Sequence, residues 1–222
     1  MKVIAVNGSP RKNWNTAMLL QKALEGAASL GAQTEMVHLY DLNFKGCRSC
    51  FACKGRESPS YGACAARDDL TPLLKKIVGV DVILMMGTPI YFGAMTGEMK
   101  SFIERLLFPY WAYTDPPGTL APAKILTGFI YTMNMSAEGA EANGYDRYIN
   151  ENRMKLERIL GPSESYCSYD TYQFDDYSKF VAPRFDPLKK AKRRAEVFPK
   201  DCENAFMMGA GLIQKARRII RP

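Results

Sequence analysis

The chain has 222 residues, 47% apolar and 24% charged, which suits one globular domain with a sizeable core and excludes a disordered or fibrous protein. No apolar run approaches the roughly 20 residues that cross a bilayer, and the short run after Met1 stops at Gly8 without the length or cleavage site of a signal peptide, so a cytoplasmic location is expected. The net charge of +7 sits in the tail, where residues 189–221 hold ten Lys or Arg against three Asp or Glu.

Residues 2–7 predict a short buried parallel strand ended by Gly8-Ser9-Pro10. Helical spacing over 16–30 puts Met18, Leu19, Ala23, Leu24 and Ala27 on one face, with Gly31 as the stop. A second strand is expected over 33–39. A loop carrying cysteines follows, then a short helix over 69–78 with Asp68 or Asp69 as its cap. Residues 81–87 are nearly all apolar, as a strand covered on both faces must be. Residues 88–95 read as a loop, 96–108 as an amphipathic helix and 124–131 as a buried strand. A helix over 141–160, weakened by Gly144, leads to a last strand over 165–174. Residues 175–187 are irregular and 187–221 largely helical around Pro199. Five strands alternating with helices predict an α/β fold, a doubly wound five-stranded parallel sheet with helices on both faces. Residues 1–174 form the domain, with 41–68 as a cysteine-rich loop, and 175–222 a basic, mainly helical extension.

In open α/β sheets ligands bind beyond the carboxyl ends of the strands. Gly8-Ser9-Pro10-Arg11-Lys12-Asn13-Trp14-Asn15-Thr16 joins the first strand to the first helix, whose N-terminus offers free N–H groups and a positive dipole end. Ser9, Asn15 and Thr16 add donors and Arg11 a charge, together a cradle for a terminal phosphate. Neither a G-x-G-x-x-G nor a Walker A pattern is present; the plain alternative is a helix cap. Thr88-Pro89-Ile90-Tyr91-Phe92-Gly93-Ala94-Met95, after the third strand, mixes flat apolar groups with a Gly that permits close backbone approach, as the walls of an isoalloxazine ring require. An ordinary turn with buried aromatics is the alternative there.

These two segments, with Met99-Lys100-Ser101-Phe102, resemble the NADPH-dependent FMN reductase and iron–sulfur flavoprotein branch of the flavodoxin-like superfamily, over roughly residues 2–170. The resemblance implies FMN, its phosphate held by Ser9, Arg11, Asn15 and Thr16, its ring against Pro89, Ile90, Tyr91, Phe92 and Gly93, with a further contact from Asn134. Trp14 departs from the pattern, since relatives often carry Gly there. The resemblance also implies a homodimer or homotetramer, and the Tyr- and Phe-rich stretch 169–185 suits packing on a partner subunit.

Six cysteines are present, and Cys47, Cys50, Cys53 and Cys64 fall within 18 residues. In a cytoplasmic protein such a group suggests metal or redox chemistry rather than disulfides. Thiolates spaced by two residues, with a distant fourth, suit a [4Fe–4S] cubane, and iron–sulfur flavoproteins carry a similar motif after the second strand, with a shorter last gap. A structural zinc site and a flavoprotein without a cluster stay open. Cys167 and Cys202 read as buried or incidental, and His38 as a packed or hydrogen-bonded histidine.

The expected function is electron transfer from NAD(P)H through FMN, with the cluster as a one-electron relay, to an acceptor the sequence does not identify. No catalytic side chain is required, because the flavin carries the chemistry. The alternatives are a cluster-free quinone, nitro or flavin reductase, a non-catalytic carrier of the flavodoxin type, and a metal-binding module with its tail on nucleic acid. The carriers tend to be acidic, unlike this chain. The tail lacks the interleaved aromatics of a single-strand binder, so neither nucleic acid nor membrane is an expected partner. A solvated helix face is the plain reading of its charge, and attraction of a phosphate-bearing nucleotide the functional one.

Overall fold

A computed structural model describes residues 1–79 and 81–220. Five parallel strands, β1 (Lys2–Asn7), β2 (Gln33–His38), β3 (Val82–Tyr91), β5 (Leu126–Thr132) and β6 (Ser163–Ser168), form a sheet in the order β2-β1-β3-β5-β6. The two-residue β4 (Ala94–Met95) folds back antiparallel on the end of β3. The helices are α1 (Asn15–Ala28), α2 (Leu70–Ile77), α3 (Gly97–Leu107), α4 (Ala137–Ala142), α5 (Tyr145–Ile159), α6 (Pro187–Glu196) and α7 (Phe198–Ile220). The chain leaves β1 for one neighbour, β2, and then returns to the other side for β3. That reversal is the switch point of a flavodoxin-like sheet, where a ligand crevice opens.

The continuous apolar runs of the strands divide by parity between two cores. Ile4 and Val6, Leu84 and Met86, and Phe129 and Tyr131 face the layer of α2, α3 and α5. Val3 and Ala5, Ile83 and Met85, and Leu126 and Ile130 face α1 and α7. The basic tail therefore contributes to one core: Phe198, Ala205, Leu212, Ile213 and Ala216 of α7 are all buried.

Several boundaries differ from expectation. Residues 88–91 continue β3, because Ile90 and Tyr91 pair with Met95 and Ala94 around a tight Phe92-Gly93 turn. Both turn residues have positive φ, 49° and 83°, as a two-residue hairpin of matching twist requires. The helix expected over 141–160 is two helices, because Gly144 adopts a left-handed φ of 71° and breaks the first. The last strand starts at Ser163 and ends at Ser168, since no strand pairs with residues 169–174 and the next backbone partners of Asp170 and Thr171 are the carbonyls of Met135 and Met133. Among the described residues no helix is long and apolar enough to cross a membrane.

Candidate functional site

The two segments singled out in the sequence lie side by side at the carboxyl ends of β1 and β3. Gly8 N donates to Gly87 O at 2.8 Å, and the Thr96 hydroxyl, capping α3, donates to Gly8 O at 2.7 Å. Thr96 N in turn donates to the Thr88 hydroxyl at 3.2 Å. A Cβ on Gly8 would stand 2.8 Å from the Met99 Cβ, so only glycine lets α3 come this close.

Below the first loop lies a half-buried relay. Asn7 Oδ1 accepts from Ser9 N at 3.0 Å, which turns the Asn7 amide nitrogen toward His38 Nδ1, 2.9 Å away. That nitrogen donates, so Nδ1 must accept and the ring is the neutral Nε2–H tautomer. Burial, ahead of a weaker opposing pull from Asp41, holds the His38 pKa below its ordinary value.

The first turn of α1 has no side-chain cap and no acidic residue, which leaves its N–H groups and dipole end to an anion. Ser9, Asn15 and Thr16 are all buried around it. The Ser9 hydroxyl accepts from Arg11 N at 3.2 Å, and the Thr16 hydroxyl meets that of Thr132 at 2.8 Å. The Arg11 guanidinium donates to Gln173 O at 2.7 and 2.8 Å, and Asn15 Nδ2 donates to Tyr172 O at 2.8 Å, which ties both residues to the segment after β6. Trp14 also donates to Tyr172 O, at 2.9 Å, with Arg11 stacked on its ring. Trp14 is thus a pin for the segment 170–174, and its extended backbone, φ −121°, has no need of glycine.

Pro89 and Ile90 are half-buried, Tyr91 is exposed and Phe92 stands free at the hairpin tip, so flat groups remain available to line a ring. Asn134 follows β5 and donates to Gln173 Oε1 at 2.5 Å. The donor set, the uncapped helix and the free aromatic faces fit a phosphorylated ring system such as FMN. His38 is hydrogen-bonded, as expected, but sequence reasoning missed Asn7 as its partner and the return of segment 170–174 to the site, both of which depend on contacts distant in sequence. Some aromatics of 172–185 pack on one another, Phe174 stacked on Phe180 at 4.1 Å and Tyr177 buried, while Phe180 and Val181 stay exposed.

Cys47, Cys50, Cys53 and Cys64 line one cavity of about 570 Å³ with Arg48, Arg67, Asp68, Glu104 and Arg105. All four are free thiols. Ser49 and Phe51, flanking Cys50, hold left-handed backbone with φ 54° and 55°. The Ala52 N–H, aided by Arg48, holds the Cys50 thiol below its ordinary pKa, whereas burial pushes Cys53 up. The Arg105 side chain, 2% exposed, grips Asp68 at 2.5 Å and donates to Lys45 O at 3.1 Å. Its guanidinium lies beside Cys64, and its buried Nε has no acceptor. An orphaned cationic donor against a thiol fits an anionic thiolate ligand set. Among the described residues no three His, Cys, Asp or Glu side chains can share a single metal ion; a cubane takes one thiolate at each of four corners and asks for a wider spacing.

Several known proteins resemble this chain. It is 41% identical over 105 residues to an iron-sulfur flavoprotein of Archaeoglobus fulgidus, covering 47% of this chain and 48% of the relative. It is 37% identical over 105 residues to an iron-sulfur flavoprotein of Methanocaldococcus jannaschii, covering 47% and 51%. These matches span about half the length of each relative. In fold it is similar to an NAD(P)H:quinone oxidoreductase from Methanothermobacter marburgensis, with a TM-score of 0.69 at 16% identity over 96% of this chain and 98% of that one. An azoreductase from Bacillus anthracis gives 0.63 at 11% identity over 95% and 99%. The model of the family described as NADPH-dependent FMN reductase matches residues 1–137, more than half of the sequence and both loops of the switch point, and on that match the chain belongs to the NADPH-dependent FMN reductase family.

Proposed function

We propose that this protein is an FMN-dependent oxidoreductase that takes electrons from NAD(P)H, and that Cys47, Cys50, Cys53 and Cys64 hold a [4Fe–4S] cluster that passes them on singly. The observation that carries the flavin reading is the hydrogen-bonded convergence of the Gly8–Thr16 and Thr88–Met95 segments through Thr96. Bound FMN would supply acceptance of a hydride and its release as single electrons. The chain's own residues bind and orient: the first turn of α1 with Ser9 and Thr16 for the phosphate, and Pro89 to Gly93 for the ring. Arg11 and Asn15 belong to this site as ties between the phosphate loop and residues 172–173, and Asn134 as the tie on the far side.

The cluster reading rests on the shared cysteine cavity and its orphaned Arg105 donor, and the names of the archaeal relatives agree with it. A homodimer or homotetramer belongs to the same proposal, because Phe92, Val181 and Leu188 stand exposed for a second copy to cover; sedimentation as a monomer alone at micromolar concentration overturns that part. Protein purified without oxygen should show flavin bands and a broad cluster shoulder, with about four iron and four sulfide per chain. Reduced nicotinamide should bleach the flavin bands. Failure to bleach removes the reductase reading, and a flavin spectrum without iron or sulfide leaves a cluster-free quinone, nitro or flavin reductase in its place.

A further inference from the structure

The charge of the tail does not simply face solvent. Helix α6 is capped by Asp186, whose carboxylate accepts from Leu188 N and Lys189 N, and Pro187 occupies its first turn. Its buried residue is a cation, Lys190, only 5% exposed. One turn on, at the spacing that shares a helix face, Arg194 lies against the Phe198 ring at 4.0 Å.

Each cation ends on an asparagine of the proposed flavin site. Lys190 Nζ donates to Asn134 Oδ1 and pairs with Asp170. Arg194 Nη1 donates to Asn15 Oδ1 at 2.8 Å. The two asparagines are held alike: the amide oxygen is fixed by an α6 cation, and the amide nitrogen is thereby turned to residues 172–173, at Tyr172 O for Asn15 and Gln173 Oε1 for Asn134. An asparagine amide has two nearly isosteric orientations. A cation on one side and an acceptor on the other leave only one.

We infer that Lys190 and Arg194 are positioning residues for the flavin: they set the amides of Asn134, two residues past β5, and of Asn15, at the start of α1, and so hold residues 172–173 against the loops that would carry the cofactor. This rests on the FMN reading of the switch point. Both cations favour a phosphate-bearing ligand, and Lys190, beside Asn134 in the segment between β5 and α4 and only partly offset by the solvated Asp170, favours the more negative reduced flavin over the oxidised one.

The test is FMN titration of the apoprotein by fluorescence quenching, with the flavin midpoint potential measured in parallel. K190M and R194M should each raise the FMN Kd about tenfold or more, the loss expected for a charge-assisted hydrogen bond. K192M removes the same charge from the same helix at a solvated position, 73% exposed, and should change Kd less than about twofold. K190M should also lower the two-electron potential by ~30 mV for each tenfold preferential loss of reduced-flavin binding, and K190R should restore much of both. Equal Kd and potential in K190M, R194M and the parent overturn the inference while leaving the flavin reading intact. So does an equal effect of K192M, which would mean a general field and no positioning. A parent chain that binds no FMN overturns both.

Discussion

The proposed phosphate loop is built from side chains that are individually ordinary, and its order rests on the protonation of one imidazole. His38 Nδ1 accepts from Asn7 only while the ring is neutral; a proton there would face one donor with another and release Ser9 N from Asn7 Oδ1. Because burial depresses the folded-state pKa below the ordinary 6.5, this contribution to stability is complete above 6.5 and is lost as pH falls through the depressed folded value. Chemical denaturation from about pH 7.5 to 5 should therefore show a loss of stability, with FMN affinity falling in the same window, that His38→Gln flattens; an unchanged slope in the variant removes the relay from the account. The placement of Ser9 at the carboxyl end of a strand and of Thr16 in the first turn of a helix was legible in the sequence, because the apolar run stops at Gly8 and helical spacing begins at Thr16. The contacts of Arg11, Trp14 and Asn15 were not. Their partners lie more than 150 residues away at Tyr172 and Gln173, and no local pattern encodes that return of the chain.

At the scale of elements, strands read best and the tail worst. Runs such as Val82–Met86 are apolar on both faces and have few alternatives to a central strand, and the break at Gly144 follows from its left-handed backbone. The tail was expected to be helical, as α7 is, but its charge obscured the core face: the plain reading was a solvated helix, while Ala205, Gly209, Leu212 and Ala216 are buried at helical spacing. It meets α1 at a glycine pair. A Cβ on Gly209 would lie 1.9 Å from Ala23 O, and one on Gly26 2.0 Å from Phe206 O, so the two backbones touch where any side chain would force them apart. Gly211, two residues on, has nothing within 4 Å of a Cβ. Gly209→Ala should cost about 3 kcal/mol, the upper range of overpacking penalties, and lower Tm by roughly 6–12 °C. Gly211→Ala should instead gain up to about 1 kcal/mol, since only helix propensity changes. Equal effects of the two in a thermal melt would mean that α1 and α7 are not in backbone contact.

Across the whole molecule, α3 connects the two sites. Its N-cap, Thr96, is tied to the phosphate loop through Gly8 O, and its last turns bring Glu104 and Arg105 into the wall of the cysteine cavity. Eleven residues at 1.5 Å each make roughly 16 Å of helix, a rigid spacer between the proposed flavin and the proposed cluster. Arg105 is the joint at the far end: it grips Asp68, which also accepts from Leu70 N at the start of α2, its guanidinium lies beside Cys64, and its buried Nε has no acceptor. Arg105→Met keeps the apolar stem and removes the charge, leaving the Asp68 carboxylate without its cation and any thiolate cluster without its buried counter-charge. Breaking such a pair costs about 3 kcal/mol, small enough for most single domains to stay folded. Iron per chain should then fall severalfold while bound FMN is unchanged, because the flavin loops are tied to the opposite end of α3. Undiminished iron in a folded variant would show that the orphaned donor serves no ligand. Parallel loss of iron, FMN and the folding transition would show that Arg105 secures the helix itself, and that the two sites share one fate.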